Sequence, residues 1–500
     1  MQITPRDLLQ ITPSLLVVAV GLAVLLLDAC WPKIGRRWLA MVTLAGLAAV
    51  AGVQLALWPR GNVEPIFGRM ITIDALTAYL TLLAVVGTAV SVLLAAHYLE
   101  REGTAYGEYY ALLLFTAFGG IVMAAATNLV VLFIGLEILS ISLYILAGYH
   151  RERTICQEAA LKYFLLGAFA SAFLVYGMAL TYGDTGTLEF QRIATAAIGA
   201  PSPLLLAGIG LMLVGFAFKV ALVPFHLWTP DVYEGAPTSA TAFMAVLAKL
   251  AGFAALLRIV GEALPGQEVR AVMAQVVSSL AILTMVLGNM AAIVQANIKR
   301  MLAYSSIAHA GYIAVGLAAM LRNPLAPGDG IVAVLFYLAV YLSMTLGAFG
   351  VVIAFRRRGE ELLTIDDYAG LGYRYPWLGA LMALFMLSLA GMPPTAGFLG
   401  KLYLLRAAAA PQVGTPWVPV ILVLTSVVSF GYYLRIVTAM YMRPAEEGET
   451  APAAQVSVPL AVGLAVCAIG TLLLGVAPGA VLQTAQAIAD SLIDIGMTPP

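Results

Sequence analysis

Apolar residues run along this chain in blocks of about twenty, parted by short clusters of charge, glycine and proline, with no alternation of polar and apolar positions. A helix of about twenty apolar residues crosses the ~30 Å hydrocarbon core of a bilayer. The blocks predict fourteen such helices, near 14–30, 39–58, 74–98, 109–126, 128–149, 158–182, 203–229, 237–260, 272–293, 301–321, 330–355, 376–407, 416–441 and 456–478. The first block has only Arg6 ahead of it and no small-residue cleavage site behind it, so it reads as a retained span. The fold class expected is therefore an all-α integral membrane protein.

Composition agrees. Hydrophobic residues make up 62% of the 500 and charged residues 10%, against roughly a quarter charged in soluble domains. A formal net charge of +0 provides neither a basic face for nucleic acid nor an acidic tail. Cys30, Cys156 and Cys467 stand far apart and form no metal-ligand cluster. GFLGKL around Lys401 lacks the first glycine and the Ser/Thr of a phosphate-binding loop, which argues against an ATP-driven pump acting alone. No metal and no cofactor is expected on this chain.

Sorting loop Lys and Arg by side places 14 after odd-numbered spans, including Lys33, Arg101, Arg153, Lys299, Arg300, Arg356 and Arg358, and 8 on the other face. The richer face is expected to be cytoplasmic. An even span count then puts both termini on the opposite, periplasmic side.

Four of the 26 basic residues fall inside spans, and all are lysines: Lys162, Lys219, Lys249 and Lys401. A charge at mid-bilayer costs roughly 2.5–3.5 kcal/mol on insertion scales, so four cost on the order of 10 kcal/mol unless paired or neutralised. Glu137 lies midway along the fifth span and calls for a cation or a proton, which a lysine on a neighbouring helix could supply. Lys219 precedes Pro224, Pro230 and Pro237, and Lys401 follows Gly391, Pro393, Pro394 and Gly397, so both helices should be interrupted beside their lysines. The interruptions fall in spans seven and twelve. Five spans apart, they run in opposite directions, which predicts an inverted five-helix repeat. Lys249 and His309 lie between them in the chain, and histidine titrates nearest neutrality. Burial disfavours a charged lysine while a nearby carboxylate favours it, so moving a Glu–Lys contact loads or releases a proton.

Plainer readings stand beside these. Lys162 follows Glu158 by four residues and could form an ordinary helical pair. Glu137, Lys219 and Lys249 could be a static buried ion pair that fixes packing. His97 and His150 read as interfacial, and Asp231 and Glu234 as a solvated loop. Glu137 stands out as the only deep acid.

The segments ALKYFLLGAFASAFLVYGMAL, FKVALVPFHLWTPDVYEGAPTSATAFMAVLAK, RMLAYSSIAHAGY and GMPPTAGFLGKLYL resemble the antiporter-like membrane subunits of respiratory complex I, the proton-pumping NADH:quinone oxidoreductase. The likeness runs through nearly all fourteen spans. It implies four parts: spans 1–3 over 1–108, a first inverted repeat (spans 4–8) over 109–260, a second (spans 9–13) over 261–441, and span 14 with a tail over 442–500. It implies proton translocation through Glu137, Lys162, Lys219, Lys249, His309 and Lys401, with Lys162 matching a sixth-span lysine typical of one subunit type. NADH, FMN, iron–sulfur clusters and quinone would belong to other subunits, and the partners would be the neighbouring membrane-arm subunits and lipid. The same pattern serves cation/proton exchange subunits, which leaves sodium or potassium exchange open, and a purely structural spacer is a further alternative.

Overall fold

The structure is a computed structural model describing residues 4–31, 36–59, 64–196, 201–264, 266–323, 327–357, 360–410, 415–444 and 452–497. Lys33 and Arg358 lie outside the described residues.

Helices α1 (Pro5–Cys30), α2 (Arg36–Ala56) and α3 (Ala75–Arg101) open the chain. Then come α4 (Gly107–Ala125), α5 (Leu129–Ala147), α6 (Thr154–Thr185), a short α7 (Phe190–Ala196), the halves α8 (Pro203–Val220) and α9 (Trp228–Gly235), and α10 (Thr238–Glu262). A second series follows: α11 (Gln267–Ile293), α12 (Ile298–Arg322) and α13 (Gly328–Ala354). After α13 come the strands β1 (Phe355–Arg357) and β2 (Glu360–Glu361) and a short α14 (Leu371–Arg374). The halves α15 (Pro376–Ala390) and α16 (Ala396–Ala408) and helix α17 (Trp417–Met442) complete this series. The chain closes with β3 (Ala453–Ala454), α18 (Val458–Val476) and α19 (Gly479–Met497). Counting each broken helix once gives the fourteen predicted crossings. The three strands form one small antiparallel sheet, β2-β1-β3, on the face reached by odd-numbered spans.

One element departs from the expectation. The C-terminal tail is a helix, α19, laid against α13, α10 and α3. Ala485, Ile488, Ala489 and Leu492 are buried along it, the i, i+3, i+4, i+7 stripe of an amphipathic helix.

Helix α13 is buried all round, and α10 and α12 nearly so, whereas α1, α2, α6, α17 and α18 leave apolar side chains on the outside. The polar groups of this protein therefore have to be satisfied inside, by one another. Around the central helices the same packing occurs twice. The first helix of each series, α4 or α11, packs on the second and the fifth, and the third, α6 or α13, packs on both halves of the broken fourth. Five crossings separate the two series, so they are inverted copies.

Both breaks are built alike. At the end of α8, Ala221 is left-handed (φ 63°) and the Leu222 N–H reaches back to Ala217 O at 2.8 Å. At the end of α15, Gly391 is left-handed (φ 91°) and the Met392 N–H reaches Leu387 O at 2.9 Å. This is the terminal loop that satisfies the last carbonyls of a helix, and the prolines that follow prevent either helix from continuing.

Candidate functional site

The breaks place two lysines at equivalent electrostatic positions. Lys219 is in the last turn of α8. Lys401 stands on α16 but turns back, and its Nζ donates to Ala390 O at the end of α15 at 2.8 Å. Each ammonium thus sits at the negative end of a first half-helix. Lys401 also lies 4.8 Å from the centre of the Tyr312 ring.

Lys219 Nζ donates to Ser140 Oγ at 2.8 Å and stands 5.8 Å from the Tyr163 ring centre. Contrary to the expected pairing, no Glu137–Lys219 ion pair within 4 Å occurs among the described residues. Glu137 instead accepts from Ser171 Oγ at 2.5 Å, half-buried toward the outer side of α5. A narrow cavity with room for about one water lies between α5, α6 and α8, lined by Ser140, Ser171 and Lys219.

At the centre, Lys249 Nζ on α10 donates to Ser306 Oγ on α12 at 2.5 Å. The same hydroxyl contacts Tyr341 Oη at 2.9 Å and Tyr233 Oη at 3.1 Å. One turn along α12, His309 bonds with both ring nitrogens: Nδ1 to Tyr337 Oη at 2.7 Å and Nε2 to Tyr433 Oη at 3.0 Å. Toward Lys219, the rings of Tyr163 and Trp228 stack at 4.3 Å, and Trp228 meets Tyr233. Toward Lys401, His309 meets Tyr312 edge-on. Four of the predicted residues, Lys219, Lys249, His309 and Lys401, are thus buried along one band of hydroxyls and rings, with Glu137 at its α5 end.

Lys162 is apart from this band. Its Nζ is 2.7 Å from Glu158 and 2.8 Å from Asp231, and its side chain is 41% exposed. The helical pair with Glu158 is present, and Asp231 and Glu234 are not a free loop. They belong to α9, and Arg300 bridges them at 2.8 and 2.7 Å.

Several charges read from sequence as loop residues are buried. Arg258 is fully buried in α10, held by Asp74 at 2.7 Å and Glu262 at 2.6 Å. Glu137 is therefore not the only deep acid. Burial raises the Asp74 carboxyl, but the Arg258 guanidinium and the hydrogen bonds from Thr77 together outweigh it and hold the group below the usual carboxylate range. On the opposite face, Lys299 Nζ donates to Ala236 O at 2.7 Å and lies 3.7 Å from Glu361. Arg356 and Arg153 meet Glu102 at 2.6 and 2.7 Å. Burial pushes Glu361 up, but Lys299 and the Thr238 hydroxyl hold it below its ordinary value. His150 lies in the loop between α5 and α6, at a span end as expected, and is buried against Tyr98, and burial lowers its pKa. His97 does keep a half-exposed place beside Glu100.

Sequence reasoning missed Ser140, Ser306, Tyr233, Tyr337, Tyr341 and Tyr433. The one available signal is the spacing of Ser306 and His309, a helical turn apart. The tyrosines come from α9, α13 and α17 and meet only in the folded chain.

A repeated, inverted five-helix unit with a broken helix and a lysine at each break defines the class of antiporter-like membrane subunits. A family profile described as NADH:quinone oxidoreductase/Mrp antiporter, transmembrane, matches residues 126–429. NADH-quinone oxidoreductase subunit N of Trichlorobacter lovleyi is 44% identical over 95% of this chain and 96% of its own length. Subunit N of Chloroflexus aggregans is 43% identical over 97% of both. A chain of respiratory complex I from Thermus thermophilus superposes with a TM-score of 0.77 at 35% identity, over 94% of this chain and 98% of that one. A chain of the Mrp complex from Dietzia shares the fold (TM-score 0.81) at 22% identity, over 97% and 98%. The chain belongs to the subunit N family of NADH-quinone oxidoreductases.

Proposed function

We propose that Lys219, Lys249, His309 and Lys401, with Glu137 at one end, carry the proton transfer of this subunit, and that Lys249 is the central station. As a member of its family the chain is a proton-translocating membrane-arm subunit of an NADH:quinone oxidoreductase, packed among other membrane-arm subunits, with the redox chemistry carried elsewhere in the complex. In this reading it holds no NADH, FMN, iron–sulfur cluster or quinone of its own. Its four parts are those bounded at 108, 260 and 441. The basic face after odd-numbered spans is cytoplasmic, and both termini are periplasmic.

The observation that carries the site assignment is the kind of partner each buried cation has. Arg258, a structural charge, is held by two carboxylates. Lys219, Lys249 and Lys401 bond to two serine hydroxyls and a carbonyl. A buried cation locked for packing needs a carboxylate. A hydroxyl, by contrast, can accept from an ammonium and donate to a neutral amine, so a lysine beside serine can lose and regain a proton without leaving a group unsatisfied. Quinone reduction elsewhere then shifts the balance near Glu137 and Lys219, and protons pass by Lys249 and His309 toward Lys401. Lys162 sits in an ion-pair cluster at the α6–α9 junction and serves at the edge of this route, steadying the broken helix.

The test is proton pumping in inverted vesicles carrying Lys249→Ala, normalised to NADH:quinone activity and to the amount of assembled complex. Pumping should fall sharply with assembly intact. Pumping at the normal rate removes Lys249 from the path, and loss of assembly alone supports a structural role.

A further inference from the structure

The seam between the two repeats holds a slender apolar cleft of about 50 Å³, open on one side, flanked by α8 and α11 and floored by α10 and α12. Ile209, Leu213, Ile259, Met273, Val277 and Leu321 line it. The one lining hydroxyl, on Thr181, is already given to Gly177 O at 2.9 Å. Nothing in such a wall can hold water.

The cleft has a depth and a charged end. On α11, Arg270 shares a helical stripe with Met273 and Val277, at i, i+3 and i+7. Thr284 lies fourteen residues further in, about 21 Å at the helical rise, and its hydroxyl accepts the Val223 N–H at 3.0 Å, closing the seam just past Lys219. The lining of the cleft runs from Ile209 to Phe216 on α8 and over Met273 and Val277 on α11, about 10 Å at the helical rise, so it takes up the outer part of one leaflet, whose hydrocarbon is about 15 Å deep. Arg322, in the last turn of α12, follows the lining residue Leu321, and the antiparallel α11–α12 pair sets it level with Arg270.

Neither arginine has a carboxylate within ion-pair distance among the described residues, and Arg322 Nε is buried without a hydrogen-bond partner. Arg270 occupies the first turn of α11, where the helix dipole opposes a cation. Arg192 and Arg258, the other arginines near the lining, are already taken, the first by Glu189 at 3.0 Å and the second by Asp74 and Glu262. Two guanidinium groups with no carboxylate partner among the described residues, at the interface end of a dry apolar cleft, complement a phosphate bearing an acyl chain.

We propose that this seam binds one anionic phospholipid, its phosphate held by Arg270 and Arg322 and one acyl chain lying in the cleft. The chain fills the gap that α8 and α11 leave between the repeats. It keeps water from reaching the break after Lys219 from that side.

The test places the assembled complex in phosphatidylethanolamine vesicles containing a little phosphatidylglycerol with a diazirine-bearing acyl chain, and maps the photolabel by mass spectrometry. Label is expected on residues 209–213 and 273–277. It should fall on the order of tenfold in the R270Q/R322Q variant and be weak with the same probe built on phosphatidylcholine. Equal labelling by the neutral probe, or labelling indifferent to the arginines, overturns the proposal in favour of ordinary annular lipid. A co-purifying isoprenoid quinone at these residues in place of phospholipid also overturns it. Should the double variant fail to assemble, Ala263→Phe, which fills the cleft and keeps both arginines, must exclude the label; retained labelling there overturns the proposal as well.

Discussion

Lys219 donates to Ser140 at 2.8 Å and leaves Glu137, three residues earlier on the same helix, outside ion-pair distance. Ser140 in turn gives its proton to Leu136 O at 2.6 Å. The serine thus ties the α8 lysine to the backbone of α5, while Glu137 is held by Ser171. Ser140→Ala should lower proton pumping roughly tenfold, the order expected from losing a hydrogen bond to a charged group, with assembly unchanged. Vesicle pumping normalised to assembled complex measures it, and an unaltered rate would show that Lys219 does not depend on this hydroxyl.

Ser306 joins Lys249, Tyr341 and Tyr233 through one oxygen. Ser306→Ala strands all three at once, and Ser306→Thr keeps the hydroxyl. Pumping is expected to drop about tenfold or more in the alanine variant and to be largely retained in threonine. Equal losses in both would point to packing as the cause.

Gly391 combines a φ of 91° with a close approach, since a Cβ there would come 2.9 Å from Lys401 Cδ. Gly391→Ala must therefore strain the break and push the lysine off Ala390 O. The variant should assemble less well and pump more slowly. Ala221, already left-handed at the matching break, should accept Gly with a stabilising effect of about 1 kcal/mol. Thermal midpoints of the purified complex compare the two, and opposite signs are expected.

Arg258 is a structural charge, and Arg258→Ala leaves Asp74 and Glu262 buried without their cation. About 3–5 kcal/mol of stability should be lost, seen as a lower thermal midpoint or less assembled complex. The pH dependence follows from Asp74. Its carboxyl lies below the usual range in the folded chain, so its contribution is complete above about pH 4, the ordinary aspartate value. That contribution is lost as pH falls through the lower folded value. Midpoints measured between pH 7 and 5 should show no change from this group, and Asp74→Asn should remove the acid limb below that range.

Much of the fold was legible because a bilayer imposes a simple rule on sequence. A run of twenty apolar residues has one way to satisfy its backbone in hydrocarbon, which is to form a helix, and proline placement at Pro224 and Pro393–Pro394 marks where a helix must stop. The α19 stripe was equally readable, but its polar face hid it beside far stronger apolar blocks. Charges near span ends were read less well. Arg258, Lys299 and Arg356 sit where a loop residue would sit, and only the approach of Asp74, Glu361 and Glu102 from distant parts of the chain shows them to be buried pairs.

By itself, then, the sequence determined the membrane, the fourteen crossings, the two breaks, the inverted order and the lysines worth asking about, because each follows from local hydrophobicity and backbone chemistry. The tertiary structure alone decided what those lysines touch. Ser140, Ser306, Tyr233, Tyr337, Tyr341 and Tyr433 converge from five helices, and helix register sets whether a buried ammonium meets a hydroxyl or a carboxylate. Local pattern carries no record of that register, because it is settled by how whole helices pack against one another.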